Sequence, residues 1–386
     1  MKQPPTNAFC SIVTLNYLAY AKTLNESLKA SGNTEPYYVL IADYRSEYQD
    51  LVKASGLNII TVQQLNIAEL DELIEKYSAF EFSNILKPFF VKWLLKNHSE
   101  INYLVFLDSD IYVYDTFSDI YKYLDSHPEY SALLTPHMIS KKIKEEYLKR
   151  TDYNIEQSHF GYGLYNSGML VYKNDERVVK YLDWHINKCS RYGFNMTDLH
   201  LFNEQKVLDM APLTFDFVGI YSNMGYNVAP WNYYPNMMRK DNNKYFVEDQ
   251  PLVFFHFSQV HKHDPANSLY YEVSDKDKEI YFKLISDYRE RLKFNDSGQA
   301  SLIPYGFQEK YKPPTSFPVS SPLIDRLKQD VTEALHSVAT IAGERDKLKL
   351  QIEHVHQQLS SIYSSKSWKL TYLLRKSLDY IKGIRK

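Results

Sequence analysis

Two aspartates, Asp108 and Asp110, stand one residue apart at the end of the apolar run Tyr103-Leu104-Val105-Phe106-Leu107. Such a run reads as a buried central strand, and open α/β sheets bind their ligands at the carboxyl ends of such strands. Side chains alternate along extended backbone, so the two carboxylates share one side and Ser109 takes the other. Converging carboxylates supply hard oxygen ligands for one divalent cation. Solvated loop acids are the competing explanation of the bare tripeptide. A second buried-looking strand, Leu252-Val253-Phe254-Phe255-His256-Phe257, has a histidine inside it. That histidine is either a hydrogen-bonded core residue or a third ligand, which would tilt a magnesium-type site toward manganese. The segment Gly161-Tyr162-Gly163-Leu164-Tyr165-Asn166-Ser167-Gly168 is glycine-dense for a chain with only 12 glycines. It suits a turn, or a place where a ligand approaches the backbone closely.

Positioning these groups requires a sheet. Strands are expected at Phe9–Thr14, Tyr37–Ala42, Ile59–Val62, Tyr103–Leu107, Ser131–Thr135, Gly168–Tyr172 and Leu252–Phe257. Amphipathic helices alternate with them, which predicts an α/β domain around a mostly parallel sheet over residues 1–295. Leu18, Ala21, Leu24 and Leu28 mark one helical face after the first strand. Phe82, Ile85, Leu86, Phe89, Phe90, Trp93 and Leu94 mark another, read as core.

Composition narrows the function classes. The chain has 386 residues, 44% of them hydrophobic, and a net charge of −2, which excludes a disordered chain and argues against a nucleic-acid binder. Two cysteines, Cys10 and Cys189, without a CxxC pair leave neither a disulfide scaffold nor a zinc site. Neither GxGxxG nor GxxxxGK[ST] occurs, which removes dinucleotide and P-loop enzymes. The first glycine is Gly32, so the N-terminal glycine-rich loop of a sugar nucleotidyltransferase is missing. The 34 tyrosines offer stacking surfaces, but a general compositional bias accounts for them. Ala8 to Leu15 followed by Ala19-Tyr20-Ala21 imitates a signal peptide, yet the run flows into a helical pattern and is read as strand then helix. No run of about 20 apolar residues is present to span a bilayer, and a cytoplasmic location is expected.

Beyond the α/β domain the chain changes character. Residues 296–322 are rich in proline and read as a linker. In 323–362, Ile324, Leu327, Val331, Ala334, Val338, Ile341, Arg345, Leu348, Ile352, Val355, Leu359 and Ile362 follow a 3-4 spacing without a slip. That is a coiled-coil seam, expected to make a homo-oligomer, with Arg345 weakening the seam and setting its register or strand number. A helix packed on the globular domain is the competing reading. Residues 363–386 carry seven cationic side chains against Asp379 alone, with Leu370, Leu373, Leu374, Leu378, Ile381 and Ile384 on one arc. This amphipathic pattern suits an anionic membrane surface, although a solvated end of the coil has the same composition.

Taken in order, Asp108-x-Asp110, Asn166-Ser167-Gly168, Glu204-Gln205 and His256-x-x-Gln259-x-x-Lys262 resemble the nucleotide-sugar-dependent glycosyltransferases of the GT-A fold. The chain resembles glycosyltransferase family 8, and bacterial glycosyltransferase-like proteins sharing the Asn16-Tyr17-Leu18-Ala19 and Phe254-Phe255-His256-Phe257-Ser258 segments, over roughly residues 8–295. The resemblance implies that Asp108, Asp110 and His256 hold Mn2+ or Mg2+ against the diphosphate of a UDP-sugar. It implies that Lys262 touches a phosphate, that Lys87 occupies the place of a donor-reaching basic residue, and that Thr14, Asn16 and Tyr17 hold the nucleotide. Asn166, Gly168, Glu204 and Gln205 would line the donor-sugar pocket, with Glu204 or Gln205 stabilising a cationic sugar. The chain departs from the family at Glu204, where Asp is usual, at Gln259, where Gly is usual, and at His263-Asp264, where Pro-Trp follows the lysine.

The expected activity is therefore metal-dependent transfer of a hexose-type sugar to a glycan or lipid-linked glycan, in bacterial surface polysaccharide assembly at the inner face of the membrane. Family resemblance implies retention of configuration; an inverting reaction would need a base such as Asp198 or Asp216. The tail's Ser367-Trp368-x-x-Thr371 with Leu373-Leu374-Arg375 resembles endings of bacterial polysaccharide-assembly enzymes. Two other classes predict different behaviour. A catalytically inactive scaffold displayed on the coiled coil would neither hydrolyse nor bind a donor, and a hydrolase with Asp108 as nucleophile would cleave glycosides without a nucleotide.

Overall fold

Largely apolar runs of three to nine residues form the strands of the main sheet. The computed structural model describes residues 6–137, 161–234, 236–242, 244–258, 274–296, 299–313 and 322–365, with positions 371 and 376. They divide into a unit of residues 1–314 and a second of 315–386.

The strands of the first unit are β1 (Thr6–Val13), β2 (Tyr37–Ile41), β3 (Asn58–Thr61), β4 (Ile101–Leu107), β5 (Ile111–Val113), β6 (Ala132–Pro136) and β7 (Tyr165–Lys173). There follow β8 (Asn195–Met196), β9 (Leu201–Phe202), β10 (Val218–Ile220), β11 (Met238–Asp241), β12 (Lys244–Val247), β13 (Gln250–Pro251) and β14 (Phe254–His256). The main sheet has the order β10-β6-β7-β4-β1-β2-β3. All its pairings are parallel except those of β7, which runs antiparallel to both β4 and β6. The expected mostly parallel α/β sheet is present. The seventh expected strand lies elsewhere: β14 pairs antiparallel with β5, outside the main sheet.

Helices α1 (Leu18–Ala30) and α2 (Ala79–Asn97) pack on the sheet, α3 (Glu176–Tyr192) packs on α2, and α4 (Asp275–Asn295) packs on α1. Leu18, Ala21, Leu24 and Leu28 of α1 are buried, as their spacing predicts. Helix α2 starts on a capping box: the Glu81 carboxylate accepts from the Ser78 N–H at 2.9 Å, and the Ser78 hydroxyl accepts from the Glu81 N–H at 3.4 Å. Its Phe82, Ile85, Leu86, Phe90 and Leu94 are buried. Much of the tyrosine is core material: Tyr77, Tyr172, Tyr181, Tyr226, Tyr233, Tyr281 and Tyr288 are almost wholly buried. The ring of Tyr288 on α4 stacks on Phe257 just past β14, with centroids 4.1 Å apart. This packing fastens the strand that carries His256.

The second unit contains the helix α5 (Pro322–Ser364), which covers the coiled-coil segment; the tail from 366 lies outside the described residues except at 371 and 376. No described helix is long and apolar enough to cross a membrane. Both cysteines are free and buried, and burial pushes both thiols up.

The proline-rich stretch differs from expectation in its first half. Residues 299–313 belong to the first unit: Asp43 accepts from the Gly306 N–H at 2.9 Å, and Arg45 donates to the Pro304 carbonyl at 2.8 Å. The Lys312 N–H bonds the Glu75 carbonyl at 2.8 Å. Ile303 and Phe307 are both 9% exposed. Proline content signalled a chain without regular structure, but backbone that lacks regular structure still packs when an acid such as Asp43 satisfies its N–H groups. Burial of these two side chains contributes roughly 3–6 kcal/mol. A chain ended after Asn295 is expected to unfold at lower urea than one ended after Pro313, by about that free energy; equal midpoints would contradict the packing.

Candidate active site

The reversal of β7 brings the site together. Parallel strands β4 and β6 finish at one edge of the sheet, and β7, running the other way, begins there. Asp108 therefore follows the end of β4 directly beside Gly168 near the start of β7, and its N–H bonds the Gly168 carbonyl at 2.8 Å. The β6–β7 register is irregular at this point: Leu134 faces Leu170, but Thr135 faces Asn166. Residues 167–169 are thus looped out on that side, as in a bulge that turns side chains toward a site.

Strand β14 supplies the third member. Its pairing with β5 sets His256 opposite Ile111, and the Phe257 N–H bonds the Asp110 carbonyl at 2.8 Å. His256 Nε2 lies 3.0 Å from Asp110 Oδ1 and 4.0 Å from Asp108 Oδ2. The ligand atoms of Asp108, Asp110 and His256 all fall within 4.8 Å of one another. His256 Nδ1 is 3.2 Å from Asn227 Oδ1, which accepts its proton and leaves Nε2 directed at the aspartates. Burial lowers the His256 pKa, but Asp110 and then Asp108 outweigh it and the net shift is upward. Asp110 is the mirror image: burial raises its pKa, the His256 charge and hydrogen bond outweigh that, and it ends below the usual range. Two carboxylates and an imidazole at this spacing fit a divalent cation of the manganese or magnesium kind.

Behind this cluster sits Lys87 of α2, 2% exposed. Its Nζ lies 2.9 Å from Asp108 Oδ1 and 2.8 Å from Glu204 Oε1, and donates to Ser167 Oγ at 3.0 Å. Burial acts to lower the Lys87 pKa, but Asp108 and Glu204 more than reverse it. Burial raises the pKa of Glu204, and Lys87 pulls it back only in part.

An open cleft of about 530 Å3 fronts the cluster, with Asp108, Asp110, His256, Asn166, Gln205 and Trp231 in its wall. Gln205 is locked at both ends of its amide: Oε1 accepts from the Ser167 N–H at 2.8 Å, and Nε2 donates to the Tyr162 carbonyl at 2.9 Å. Asn166 Oδ1 accepts from the Gly168 N–H at 2.8 Å. Gly168 itself is a spacing requirement, since a Cβ there would lie 2.5 Å from His256 Cε1 and 2.6 Å from Asn166 Oδ1.

Not every expected residue is in the wall. Glu204 is fully buried and meets the site through Lys87. Thr14, Asn16 and Tyr17 stand at the end of β1 outside the cleft wall, with Thr14 donating to Asn16 Oδ1 at 2.5 Å. Burial raises the Tyr17 pKa, and the Asp110 charge adds to it. Lys262 and Gln259 lie outside the described residues. Asp198 is in the short helical turn Thr197–Leu199, and Asp216 precedes β10; neither is in the cleft wall.

Three contributors escaped the sequence reading. Asn227 orients His256. Trp231 lies edge-on to the His256 ring, with centroids 5.1 Å apart. His137, just past β6, donates from Nδ1 to the Gly163 carbonyl at 2.6 Å and meets Asn166 Nδ2 at 3.2 Å. Its place at a strand's carboxyl end was a usable signal; Asn227 and Trp231 had none, since they reach the site only through the folded loop after β10.

No family model matches the chain. It is 26% identical over 256 residues to the uncharacterized protein YfnF of Bacillus subtilis strain 168, covering 66% of this chain and 81% of that one. It is 23% identical over 255 residues to YfnD of the same organism, covering 65% and 76%. Among solved structures it is similar to the galactosyltransferase LgtC, determined with donor and acceptor sugar analogs, at a TM-score of 0.44 and 14% identity over 78% of this chain and 99% of that one. It is also similar to the glycosyltransferase GlyE of Streptococcus pneumoniae TIGR4, at 0.42 and 16% over 78% and 65%.

Two outcomes follow from the geometry. Gly168→Ala should displace the His256 ring and weaken Mn2+ binding, read by calorimetry, by on the order of tenfold or more, with the fold retained; unchanged affinity would contradict the contact. His185, buried on α3 with Nε2 3.3 Å from the Glu204 carbonyl, has its pKa pushed by burial down to about 4. Between that value and the unfolded value of about 6.5 only the unfolded chain takes the proton, so stability falls as pH drops through this window, by up to about 1.4 kcal/mol per pH unit. His185→Gln should flatten that slope in denaturant titrations from pH 4 to 6.5.

Proposed function

We propose that this chain is a metal-dependent glycosyltransferase that uses a UDP-sugar and passes its hexose-type sugar to a glycan or lipid-linked glycan, with retention of configuration. The observation that carries the reading is the Asp108–Asp110–His256 cluster at the wall of a polar cleft whose amides, Asn166 and Gln205, are held rigid. Breaking a sugar–phosphate bond places growing negative charge on the departing diphosphate. Mn2+ or Mg2+ held by the cluster supplies the positive charge that stabilises it.

The chain's own groups do the rest. Asn227 holds the His256 tautomer, and Lys87 balances Asp108 from behind. Gln205, with both amide ends engaged, presents a fixed dipole to the sugar, where a preorganised group costs no reorganisation as charge develops. Glu204 acts by keeping Lys87 in place. In this reading residues 323–362 serve self-association and residues 363–386 attachment to the inner face of an anionic membrane, in keeping with a role in surface-polysaccharide assembly; the exposed seam of α5 supports the first of these.

The test is direct. With Mn2+ the protein should hydrolyse a UDP-sugar slowly and melt at higher temperature in the presence of UDP. Asp110→Asn should lower that hydrolysis by about 10²–10³-fold with the fold unchanged. Absence of both donor hydrolysis and UDP protection would leave the scaffold reading instead.

A further inference from the structure

Helix α5 runs unbroken for 43 residues and exposes its own apolar seam. Val331, Val338, Ile341, Leu348, Ile352, Val355, Leu359 and Ile362 are all exposed, with Val338 at 64% and Ile341 at 66%. An apolar stripe repeating every 3.5 residues is the surface that a like helix covers by knobs-into-holes packing. Gly343 faces away from this stripe, with open space around its Cβ position, and weakens the helix on its own. Both features point to a partner helix.

We infer that α5 pairs with α5 of a second copy as a parallel, in-register, two-stranded coiled coil, whose orientation is set by Glu344, Arg345 and Lys349. This rests on the self-association reading of the same segment. With Val331, Val338, Arg345 and Ile352 at the a positions, Glu344 falls at g and Lys349 at the following e. In a parallel pair each g residue meets the next e residue of the other strand, so Glu344 of one copy meets Lys349 of the other twice by symmetry. Arg345, at a, also lies beside Glu344 of the second copy. In an antiparallel pair aligned end to end, g meets g, and the two Glu344 carboxylates face each other. Two strands leave the a position open at its edges, so the Arg345 guanidinium can reach solvent and that carboxylate; three strands would enclose it without a partner. Arg345 and Asp346 of the same chain are 2.9 Å apart, an exposed contact that gives way to the buried one at small cost.

The full-length chain, at tens of micromolar, should sediment at twice its 45.5 kDa mass. A monomer overturns self-association itself; a trimer overturns the strand number. Glu344→Gln decides orientation. It removes an attraction from the parallel pair and should raise the dimer dissociation constant about threefold to tenfold. From the antiparallel pair it removes a repulsion, so tighter association overturns the inference. Ile352→Cys should form a disulfide between copies on mild oxidation, Cys10 and Cys189 being buried. Failure of that link, with the dimer mass intact and the helix content unchanged, also overturns the register. None of these readings depends on donor hydrolysis, so the outcome is separable from that of the proposed activity.

Discussion

A buried ammonium group governs this site. Asp108, Asp110 and Glu204 lie close together, and Glu204 is sealed from solvent entirely. Three carboxylates gathered in one place repel one another, and a cation standing among them offsets that repulsion. Lys87 is that cation, touching Asp108 and Glu204 at once, with the face of the Phe106 ring 5.1 Å from its Nζ.

The rest of the molecule holds that charge arrangement in register. The capping box of α2 begins the helix that delivers Lys87, and the second Glu81 oxygen accepts from the Asn195 N–H at 2.7 Å, tying the helix start to the loop that leads toward Glu204. Strand β7 supplies Ser167 to Lys87 and Gly168 to Asp108 in two consecutive residues. Around β14, Tyr288 and Phe257 stack, while Val228 accepts from the His256 N–H at 2.7 Å. Each fixed group is anchored by another part of the sheet edge, so the cleft is formed before any ligand arrives.

Asp43 shows the same economy away from the site. One carboxylate oxygen takes the Leu15 N–H at 2.7 Å and the other the Gly306 N–H at 2.9 Å. The loop after β1, where Thr14, Asn16 and Tyr17 lie, is thereby bound to the segment expected to be a linker. Burial raises the Asp43 pKa, and those two backbone hydrogen bonds counter it. The globular unit extends to residue 314, where the Gly306 N–H reaches Asp43 and the Lys312 N–H reaches the Glu75 carbonyl, contacts that prolines and glycines in a row do not display.

Local pattern was enough for the strand ending at Asp108-Ser109-Asp110, for the buried faces of α1 and α2, and for the seam of α5, because each depends on residues a few positions apart. Period-two and period-3.6 burial are properties of short stretches of chain. The order of the strands, the reversal of β7 and the pairing of β14 with β5 depend on residues tens of positions apart or more, and no local period encodes them. So the acids and His256 were legible as types, while their convergence within 4.8 Å was decided by the tertiary structure. The same holds for Glu204, a carboxylate by sequence and a buried partner of Lys87 by packing, and for Asn227 and His137, whose hydrogen bonds exist only once distant loops have closed.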